Sequence, residues 1–281
     1  MRIDLHTHST ASDGTQPPAE LVAEARAAGL DVVAITDHDT TAGWHEATRA
    51  AVEQGVDLVR GIEISCSRHH ESIHLLGYLP DPDDQELALE LARARESRIA
   101  RMDRMIRRMA DDGIDITVEE VRAQVAPGAT LGRPHLADAL AAKGVVANRD
   151  DAFRELLHDG SPYYVGHYAP DPVTAIRLVR EAGGVPVLAH PFAMRTGTVT
   201  DAMVEELAGA GLAGLEVHHR DHSGADVERA LRLARRHDLV VTGSSDYHGA
   251  GKLNRLGERT TAPEQWSRIV EQSHGVEVVR A

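Results

Sequence analysis

The amino-acid sequence predicts an α/β fold, a distorted (β/α)7 barrel whose rim is capped by a helical insertion. Short apolar runs alternate with amphipathic stretches, about seven such runs are present, and the alternation stops between residues 81 and 164. Alternating strand and helix units are typical of a parallel sheet, and about seven of them favour a closed or distorted barrel over an open sheet. We therefore expect residues 1–80 and 165–281 to form the barrel and residues 81–164 to form the insertion.

The boundaries of the predicted elements follow from apolar runs and from proline and glycine positions. The predicted strands are residues 3–5, 32–35, 58–64, 73–76, 185–189, 212–217 and 239–242. Two prolines at positions 17 and 18 begin one helix, which Gly29 ends; Gly43 and Gly55 bound a second helix, and Pro172 begins a third. Proline at the start of a helix and glycine after its end are the favoured positions of these residues.

A further helix is predicted over residues 85–109 of the insertion, where apolar residues recur at helical spacing. This stretch also contains seven arginines: Arg93, Arg95, Arg98, Arg101, Arg104, Arg107 and Arg108. Most of them are expected to form a solvated face with acidic partners. The less favoured alternative is that one or two of them, with Arg98 and Arg101 as the candidates, lean over the barrel mouth towards an anion.

The charge and the cysteine content restrict the classes of partner and the environment. A formal net charge of −14 is unsuited to general binding of duplex DNA, because phosphate neutralisation needs a basic surface. The single cysteine, Cys66, excludes an internal disulfide, favours a reducing compartment and is expected to be a small buried side chain. The sequence contains neither a secretory signal nor a membrane-spanning run, so we predict a cytoplasmic protein without a membrane partner.

Imidazole and carboxylate side chains recur at or near the ends of the predicted strands. Because strand ends converge on one rim of a (β/α) barrel, we expect these side chains to lie close together. On the first strand, alternation puts Asp4 on the same face as His6 and His8. Asp4 is predicted to accept a hydrogen bond from a ligand imidazole, and Asp37 to support the ligands in a similar way. The predicted metal ligands are His6, His8, Asp13, His38, Glu63, His74, His190, Asp246 and His248.

Each of these residues, taken alone, has an ordinary structural interpretation. His74 in an apolar run would be a core histidine, Glu63 a helix cap or ion-pair member, and Asp13 beside Gly14 a turn residue. Taken together, they would leave many polar groups buried at strand ends without partners. Metal coordination would provide those partners, and mixed imidazole and carboxylate ligands suit Mn, Zn or Fe. The residues therefore predict a site that holds several divalent metal ions.

The ordered motifs of the chain resemble a known family. They are Asp4-Leu5-His6-Thr7-His8, Ser12-Asp13-Gly14, Thr36-Asp37-His38-Asp39, Gly61-Ile62-Glu63, His74-Leu75-Leu76-Gly77, Ala189-His190-Pro191 and Gly243-Ser244-Ser245-Asp246-Tyr247-His248-Gly249. In this order they resemble the PHP (polymerase and histidinol phosphatase) superfamily of metal-dependent phosphoesterases, through nearly the whole chain.

This resemblance implies three metal ions and hydrolysis by a metal-activated hydroxide. It assigns His6, His8, Glu63 and Asp246 to one ion, Glu63, His74 and His190 to a second, and Asp13, His38 and His248 to a third. Three divalent ions among three carboxylates would give the rim a local charge of about +3, which would attract a phosphate in spite of the acidic chain.

The insertion resembles the branch of this superfamily that contains nucleoside 3′,5′-bisphosphate phosphatases and a bacterial exoribonuclease. The resemblance lies in Gly132-Arg133-Pro134-His135-Leu136-Ala137, Ala152-Phe153 and Ser161-Pro162-Tyr163-Tyr164-Val165. Members of that branch often have a lysine or arginine shortly after the Tyr-Val pair, where this chain has Gly166 and His167.

The predicted substrate contacts are Arg133, His135, His167 and Arg195, with His167 in the place of the branch's cation. His219 or His135 is predicted to assist as an acid, and His135 could instead cap a helix. His218 and His222 are also predicted to lie in loops that face the rim.

These observations together predict a phosphomonoesterase that acts on a small phosphorylated nucleotide, with a nucleoside 3′,5′-bisphosphate favoured. Three alternatives stay open: a 5′-to-3′ exoribonuclease that trims short RNA ends, a histidinol-phosphate-type phosphatase, and a non-catalytic metal-binding module. The negative charge of the chain permits short RNA ends as partners but disfavours long nucleic acids. The sequence does not determine the oligomeric state.

Overall fold

The computed structural model describes residues 1–69, 71–193 and 199–281. Its seven strands form one sheet in which they are adjacent in chain order, which confirms the predicted fold class. The strands are β1 (Ile3–Asp4), β2 (Val32–Ile35), β3 (Asp57–Arg68), β4 (Glu71–Tyr78), β5 (Val185–Leu188), β6 (Gly214–His218) and β7 (Val240–Gly243). The helices are α1 (Pro18–Ala27), α2 (Trp44–Gln54), α3 (Gln85–Asp111), α4 (Val118–Arg122), α5 (Arg133–Ala142), α6 (Arg149–Glu155), α7 (Pro172–Glu181), α8 (Asp201–Gly209), α9 (Gly224–Arg236) and α10 (Pro263–Gln272).

The sheet is parallel, as predicted, except at β4. β4 runs antiparallel to both β3 and β5, whereas the other neighbouring strands run parallel to one another. β3 ends at Arg68 and β4 begins at Glu71, a connection far too short for the crossover that a parallel pair needs. The reversal has a functional consequence: the first half of β4, with His74 opposite Ser65, lies at the rim where the parallel strands end.

The barrel closes at this same rim. A parallel bridge joins Thr7, just after β1, to Tyr247, just after β7. The backbone N–H of His8 donates to the carbonyl of Tyr247 at 2.8 Å. This contact brings the segment that holds His6 and His8 beside the segment that holds Asp246 and His248.

Alternation along the strands divides the apolar side chains into two layers. One layer packs against α1, α2, α7, α8 and α9 and includes Val33, Leu75 and Leu215. The other layer, which contains Val32, Leu76 and Val187 among others, fills the barrel interior and packs against α10. The barrel interior is therefore packed with side chains, and polar groups collect at its rim.

The insertion contains a third apolar cluster, formed by α3, α4, α5 and α6 together with residues up to Val165. A buried ion pair attaches it to the barrel: the Arg98 guanidinium donates from Nε to Asp39 Oδ2 at 2.9 Å. Arg98 also donates to the Ser65 hydroxyl, and Arg95 donates to the Asp39 carbonyl at 2.6 Å. These contacts hold α3 against the ends of β2 and β3. The exact division of the chain after residues 80 and 164 stays a prediction.

None of the helices in the described residues combines the length and the apolar character needed to cross a membrane.

Candidate metal centre

All nine predicted metal ligands lie together at the rim of the barrel. They surround or underlie one cavity of about 900 Å³, with His6 and His8 fully buried at its floor. Four overlapping groups of these residues have their ligand atoms within 4.8 Å of one another: His8 with Asp13, His38 and His248; His6 with Glu63 and His190; His6 with His8 and Asp246; and His38 with Glu63 and His74. The cavity therefore combines the geometry and the ligand types of a site for more than one cation.

Glu63 lies at the centre of this arrangement, and its two carboxylate oxygens face different histidines. Oε1 is 2.8 Å from His74 Nδ1 and 3.2 Å from His190 Nε2. Oε2 is 3.0 Å from His8 Nε2 and 3.2 Å from His6 Nε2. A carboxylate that divides its oxygens between two sets of imidazoles has the geometry to bridge two metal ions.

The contact between His6 and His8 is the clearest sign of a cation. Their Nε2 atoms are 3.0 Å apart, and each lies close to Asp246 Oδ1, at 3.5 and 3.4 Å. Two imidazole nitrogens and two carboxylates, from Glu63 and Asp246, thus converge on one point. A cation at that point would satisfy all of these lone pairs at once.

A second convergence lies nearer the insertion. Asp13 faces His248 Nε2 at 3.4 Å and His38 Nε2 at 3.9 Å, and the rings of His8 and His248 stack with centroids 4.1 Å apart. The Nε2 of His248 is buried and makes no hydrogen bond within the described part of the chain. An imidazole nitrogen that is buried without a proton acceptor or donor is costly unless it binds a metal ion.

Ionisation of the centre also suits metal binding. Burial raises the pKa of the carboxyl groups of Asp13, Glu63 and Asp246. The facing histidines, and at Asp246 first of all the charge of Lys252, outweigh burial and hold each pKa well below its usual range. Burial, together with the charges of Lys252 and His8, lowers the pKa of His248 to about 4. The centre therefore offers ionised carboxylates and, at His248, a neutral imidazole, which are the forms that bind metals.

Two ligands have strained backbones. His190 has φ of 27° and Asp246 has φ of 52°, both in the left-handed region that non-glycine residues rarely adopt. His190 is held there by its backbone N–H, which donates to Glu216 Oε2 at 2.8 Å. Asp246 is held by Asn254, whose side-chain amide donates to the Asp246 carbonyl at 3.2 Å. Such strain is typical of residues that the fold positions for function.

Glu216 was not predicted, and it takes the role that was expected of Asp4. Its Oε1 accepts from His6 Nδ1 at 3.1 Å while its Oε2 accepts from the backbone of His190. Although burial raises its pKa, the charge of His6 and the hydrogen bond from it lower the pKa to about 2, so Glu216 stays ionised. The signal in the sequence was an acidic residue inside the apolar strand run of β6.

The prediction that Asp4 accepts from a ligand imidazole is wrong. Asp4 accepts instead from the backbone N–H groups of Ser245 at 3.0 Å and Gly257 at 2.8 Å, and so fixes the segment that precedes Asp246. Asp37 accepts from the hydroxyls of Ser9 and Ser12 at 2.7 Å each. It therefore supports the loop that leads to Asp13.

The remaining wall of the cavity belongs to the insertion and contains an arginine cluster, formed by Arg98, Arg101 and Arg133. Arg133 donates from Nη1 to the Leu157 carbonyl at 2.9 Å and to Asp159 at 2.6 Å. Its guanidinium also lies over the rings of Phe153 and Tyr164. Arg133 thus lines the cavity as predicted, but one of its nitrogens is engaged by the insertion itself.

The predicted contact of His167 with the substrate stays a prediction, but burial beside two arginines disfavours a charged ring. Burial and the charges of Arg101 and Arg98 lower the pKa of His167 to about 2, so its ring is neutral. Its Nδ1 accepts from Arg101 Nη1 at 3.1 Å. Arg101, one of the two candidates on the predicted helix, lies beside His167 and also lines the cavity.

His135 and His219 differ in the groups they contact. His135 Nδ1 accepts from the Gly132 N–H at 3.1 Å, so it caps α5, and burial lowers its pKa. His219 Nδ1 accepts from the Asp221 N–H, which places the proton on Nε2, 3.6 Å from Asp246 Oδ2. Burial lowers the pKa of His219, but the hydrogen bond with Asp246 and the charge of Glu216 outweigh it and raise that pKa.

Three other predicted rim residues have different outcomes. His218 belongs to β6 and His222 supports the backbone near His190: its Nε2 accepts from the Phe192 N–H at 3.2 Å. Neither lines the cavity. Arg195 lies outside the described residues.

One further cation was not predicted. Lys252 lines the cavity, and its ammonium donates to Asp246 Oδ2 at 2.7 Å. The two oxygens of Asp246 therefore have different partners, with Oδ1 towards His6 and His8 and Oδ2 towards Lys252 and His219. Its loop position, just after a glycine-rich segment, gave no signal in the sequence.

Comparison with known proteins gives consistent similarities. Residues 4–121 match the PHP domain family. The chain is 33% identical over 254 residues to a 3′,5′-nucleoside bisphosphate phosphatase from Chromobacterium violaceum, covering 90% of this chain and 89% of the relative. It is also 33% identical over 248 residues to a 5′-3′ exoribonuclease from Haemophilus influenzae, covering 88% of this chain and 90% of that relative.

A solved structure from Bifidobacterium adolescentis, of a protein classed as a metal-dependent phosphoesterase, is similar throughout. The two structures superpose with a TM-score of 0.94 at 42% sequence identity, covering 97% of this chain and 96% of that one.

Proposed function

Because this chain belongs to the PHP family of metal-dependent phosphoesterases, we propose that it releases phosphate from a small nucleotide, with a nucleoside 3′,5′-bisphosphate as the favoured substrate. It is a hydrolase that acts on phosphoric ester bonds. The observation that carries the finer proposal is one cavity lined by the cation-binding groups on one side and the arginine cluster on the other. A nucleotide with two phosphates has an anion for each side.

We infer that the metal side holds three divalent ions, and that they are Mn, Zn or Fe, from the mixture of imidazole and carboxylate ligands. His6, His8 and Asp246 would hold one ion, and Asp13, His38 and His248 another. His74 and His190, which both lie beside Oε1 of Glu63, would hold a third together with Glu63. When bound, the ions supply a Lewis acid for the phosphoryl oxygens and an activated water as nucleophile.

The protein's own groups orient the ester and supply a proton. Lys252 places an ammonium beside Asp246, where it can contact a phosphoryl oxygen at the rim. His219 lines the cavity and holds its proton on Nε2, so it is better placed than His135 to protonate a leaving oxygen. His135 is neutral and holds Gly132 with Nδ1, which suits the role of a helix cap.

A phosphate-release assay tests this proposal. Purified protein is stripped of metal, reloaded separately with Mn²⁺, Zn²⁺ or Fe²⁺, and given nucleoside bisphosphates, mononucleotides and sugar phosphates. We expect release from a bisphosphate, and loss of that release in the Asp13→Asn variant. Asp111→Asn, a change at an exposed position at the end of α3, is the matched control. Failure of every substrate with every metal would refute the proposal.

A second candidate is removal of nucleotides from the 5′ end of short RNA. The size of the cavity, about 900 Å³, favours it, since this volume exceeds what a single phosphate needs. The similarity to an exoribonuclease supports it too. A 5′-phosphorylated oligonucleotide separates the two candidates: a ladder of shortened products indicates the nuclease, and loss of phosphate alone indicates the phosphatase.

A further inference from the structure

Arg101 is a buried cation without an anion. Its side chain is 3% exposed, yet within the described residues its guanidinium meets no carboxylate. Its Nη1 contacts only the neutral ring of His167, and its buried Nε makes no hydrogen bond there. A buried charge without a paired charge is costly in free energy. A bound ligand of opposite charge would pair it.

The neighbouring arginines, unlike Arg101, have acidic partners in the described part of the chain. Arg98 is paired with Asp39 and with the Ser65 hydroxyl, and Arg133 is engaged by Asp159, by the Leu157 carbonyl and by two aromatic rings. Arg101 is thus the member of the arginine cluster whose charge is left uncompensated.

The unpaired positive charge in this cluster affects the pKa values of two groups, Arg101 and His167. Burial, Arg98 and Arg133 lower the pKa of Arg101 to about 9. The same three arginines, after burial, lower the pKa of His167. Both shifts indicate a region of positive potential that a bound anion would relieve.

We propose that Arg101 is the specificity-determining residue of this cavity and binds a second anionic phosphate of the substrate while the metal centre acts on the first. This inference rests on the proposed function and assigns the second phosphate to a particular side chain. His167 positions the guanidinium by accepting from Nη1, and Arg101 is among the residues that line the cavity. The second anion could be the other phosphate of a free bisphosphate or the next phosphodiester of a short RNA end.

The test compares two ratios in the metal-loaded enzyme. The first is kcat/KM for adenosine 3′,5′-bisphosphate divided by kcat/KM for an adenosine monophosphate. This ratio is calculated separately with the 5′-monophosphate and with the 3′-monophosphate. The second uses a 5′-phosphorylated dinucleotide in place of the bisphosphate. In Arg101→Met we expect the ratio for the true substrate class to fall by about 10- to 100-fold, mainly through KM, because a charge-assisted contact to phosphate is lost. The ratio that falls identifies the source of the second anion.

Two further variants complete the design. Arg107→Met changes an exposed arginine on the same helix and should leave both ratios unchanged. Arg101→Met with His167→Lys returns a cation to the facing position and should recover part of the lost ratio.

A purely structural role predicts a different set of results. Arg101→Met would then lower the melting temperature and reduce all substrates equally, whereas removal of an uncompensated charge should leave the melting temperature unchanged or raised. Equal loss on mono- and bisphosphate would overturn the inference while leaving the phosphatase itself intact.

Binding to metal-free protein provides a readout that does not depend on turnover. Calorimetry with adenosine 3′,5′-bisphosphate should give a dissociation constant about 10-fold weaker for Arg101→Met than for the unchanged chain. Equal affinities would refute the role of Arg101 even if no substrate were hydrolysed, and a difference would support it even then.

Discussion

The metal side and the arginine side of the cavity balance their charges in opposite ways. On the metal side, three carboxylates face a ring of imidazoles, which is a set of ligands for cations. On the arginine side, Arg98 pairs with the buried Asp39 and Arg133 with Asp159, whereas Arg101 has no ion-pair partner among the described residues. The difference supports the proposal that the two halves bind different parts of one ligand complex, divalent ions on one side and a phosphate on the other.

The two sides also differ in how the chain builds them. The ligands follow strand ends, so the barrel positions them through local motifs and backbone contacts such as that between Glu216 and His190. The arginine cluster depends on how one helix docks, and that docking rests on the pair between Arg98 and Asp39, which are 59 residues apart in the chain. We therefore expect changes on the metal side to abolish the reaction and changes on the arginine side to alter selectivity.

Glu63→Gln should have the largest effect. Glu63 contacts imidazoles with both oxygens, and the amide would remove the charge and one of the two acceptor oxygens from the bridging position. We expect kcat to fall by at least about 1,000-fold, together with loss of bound metal, since the electrostatic stabilisation comes from that centre. Phosphate release and metal content by mass spectrometry provide the measurement. Glu264→Gln, exposed on α10, serves as the control, and a variant that retains both metal and rate would show that Glu63 is no ligand.

Arg98→Met should instead reduce stability. Removal of Arg98 leaves Asp39 as a fully buried, unpaired carboxylate at the joint between α3 and the barrel. The expected loss is about 3 kcal/mol in the free energy of unfolding, measured by urea titration. Pairing it with Asp39→Asn should restore part of this loss in a double-mutant cycle. If the single and double variants are equally unstable, the ion pair is not what attaches the insertion.

Much of the fold and most of the proposed ligand set could be predicted from the sequence, because both depend on short, local sequence segments. Most proposed ligands lie at or near the ends of strand-like runs, and strand ends meet in a barrel. The direction of β4 depended on the length of one connection, which the apolar pattern does not report. Glu216 lies inside an apolar strand and acts through His6, so no motif marks it. Whether Arg101 has an ion-pair partner depends on which carboxylates lie near it once the helix is docked. The spacing of residues in the sequence does not contain this information.

Glu216→Gln distinguishes a positioning residue from a ligand. The charge that holds His6 Nδ1 and the His190 backbone would be lost, while every proposed ligand would remain. Groups of this kind typically contribute 10- to 100-fold in metal affinity, and we expect a loss of about that size, with rate recovered at high metal concentration. Titration of the stripped protein with Mn²⁺ measures it. A variant whose rate does not recover at saturating metal would indicate that Glu216 acts on the substrate directly.

His167→Gln should have the smallest effect, and it tests which residue of the arginine side carries the charge. Because the pKa of His167 is lowered to about 2, the ring is uncharged at any pH well above that value and contributes no titration between pH 6 and 9. Glutamine keeps an acceptor for Arg101 Nη1. We expect kcat/KM for a bisphosphate to fall by no more than about threefold, with an unchanged pH profile over this range. A cationic His167 would behave differently: activity on the bisphosphate would decline as pH rises through the pKa of the ring, and the substitution would remove that decline. Such a result would show that His167, and not Arg101, binds the second phosphate.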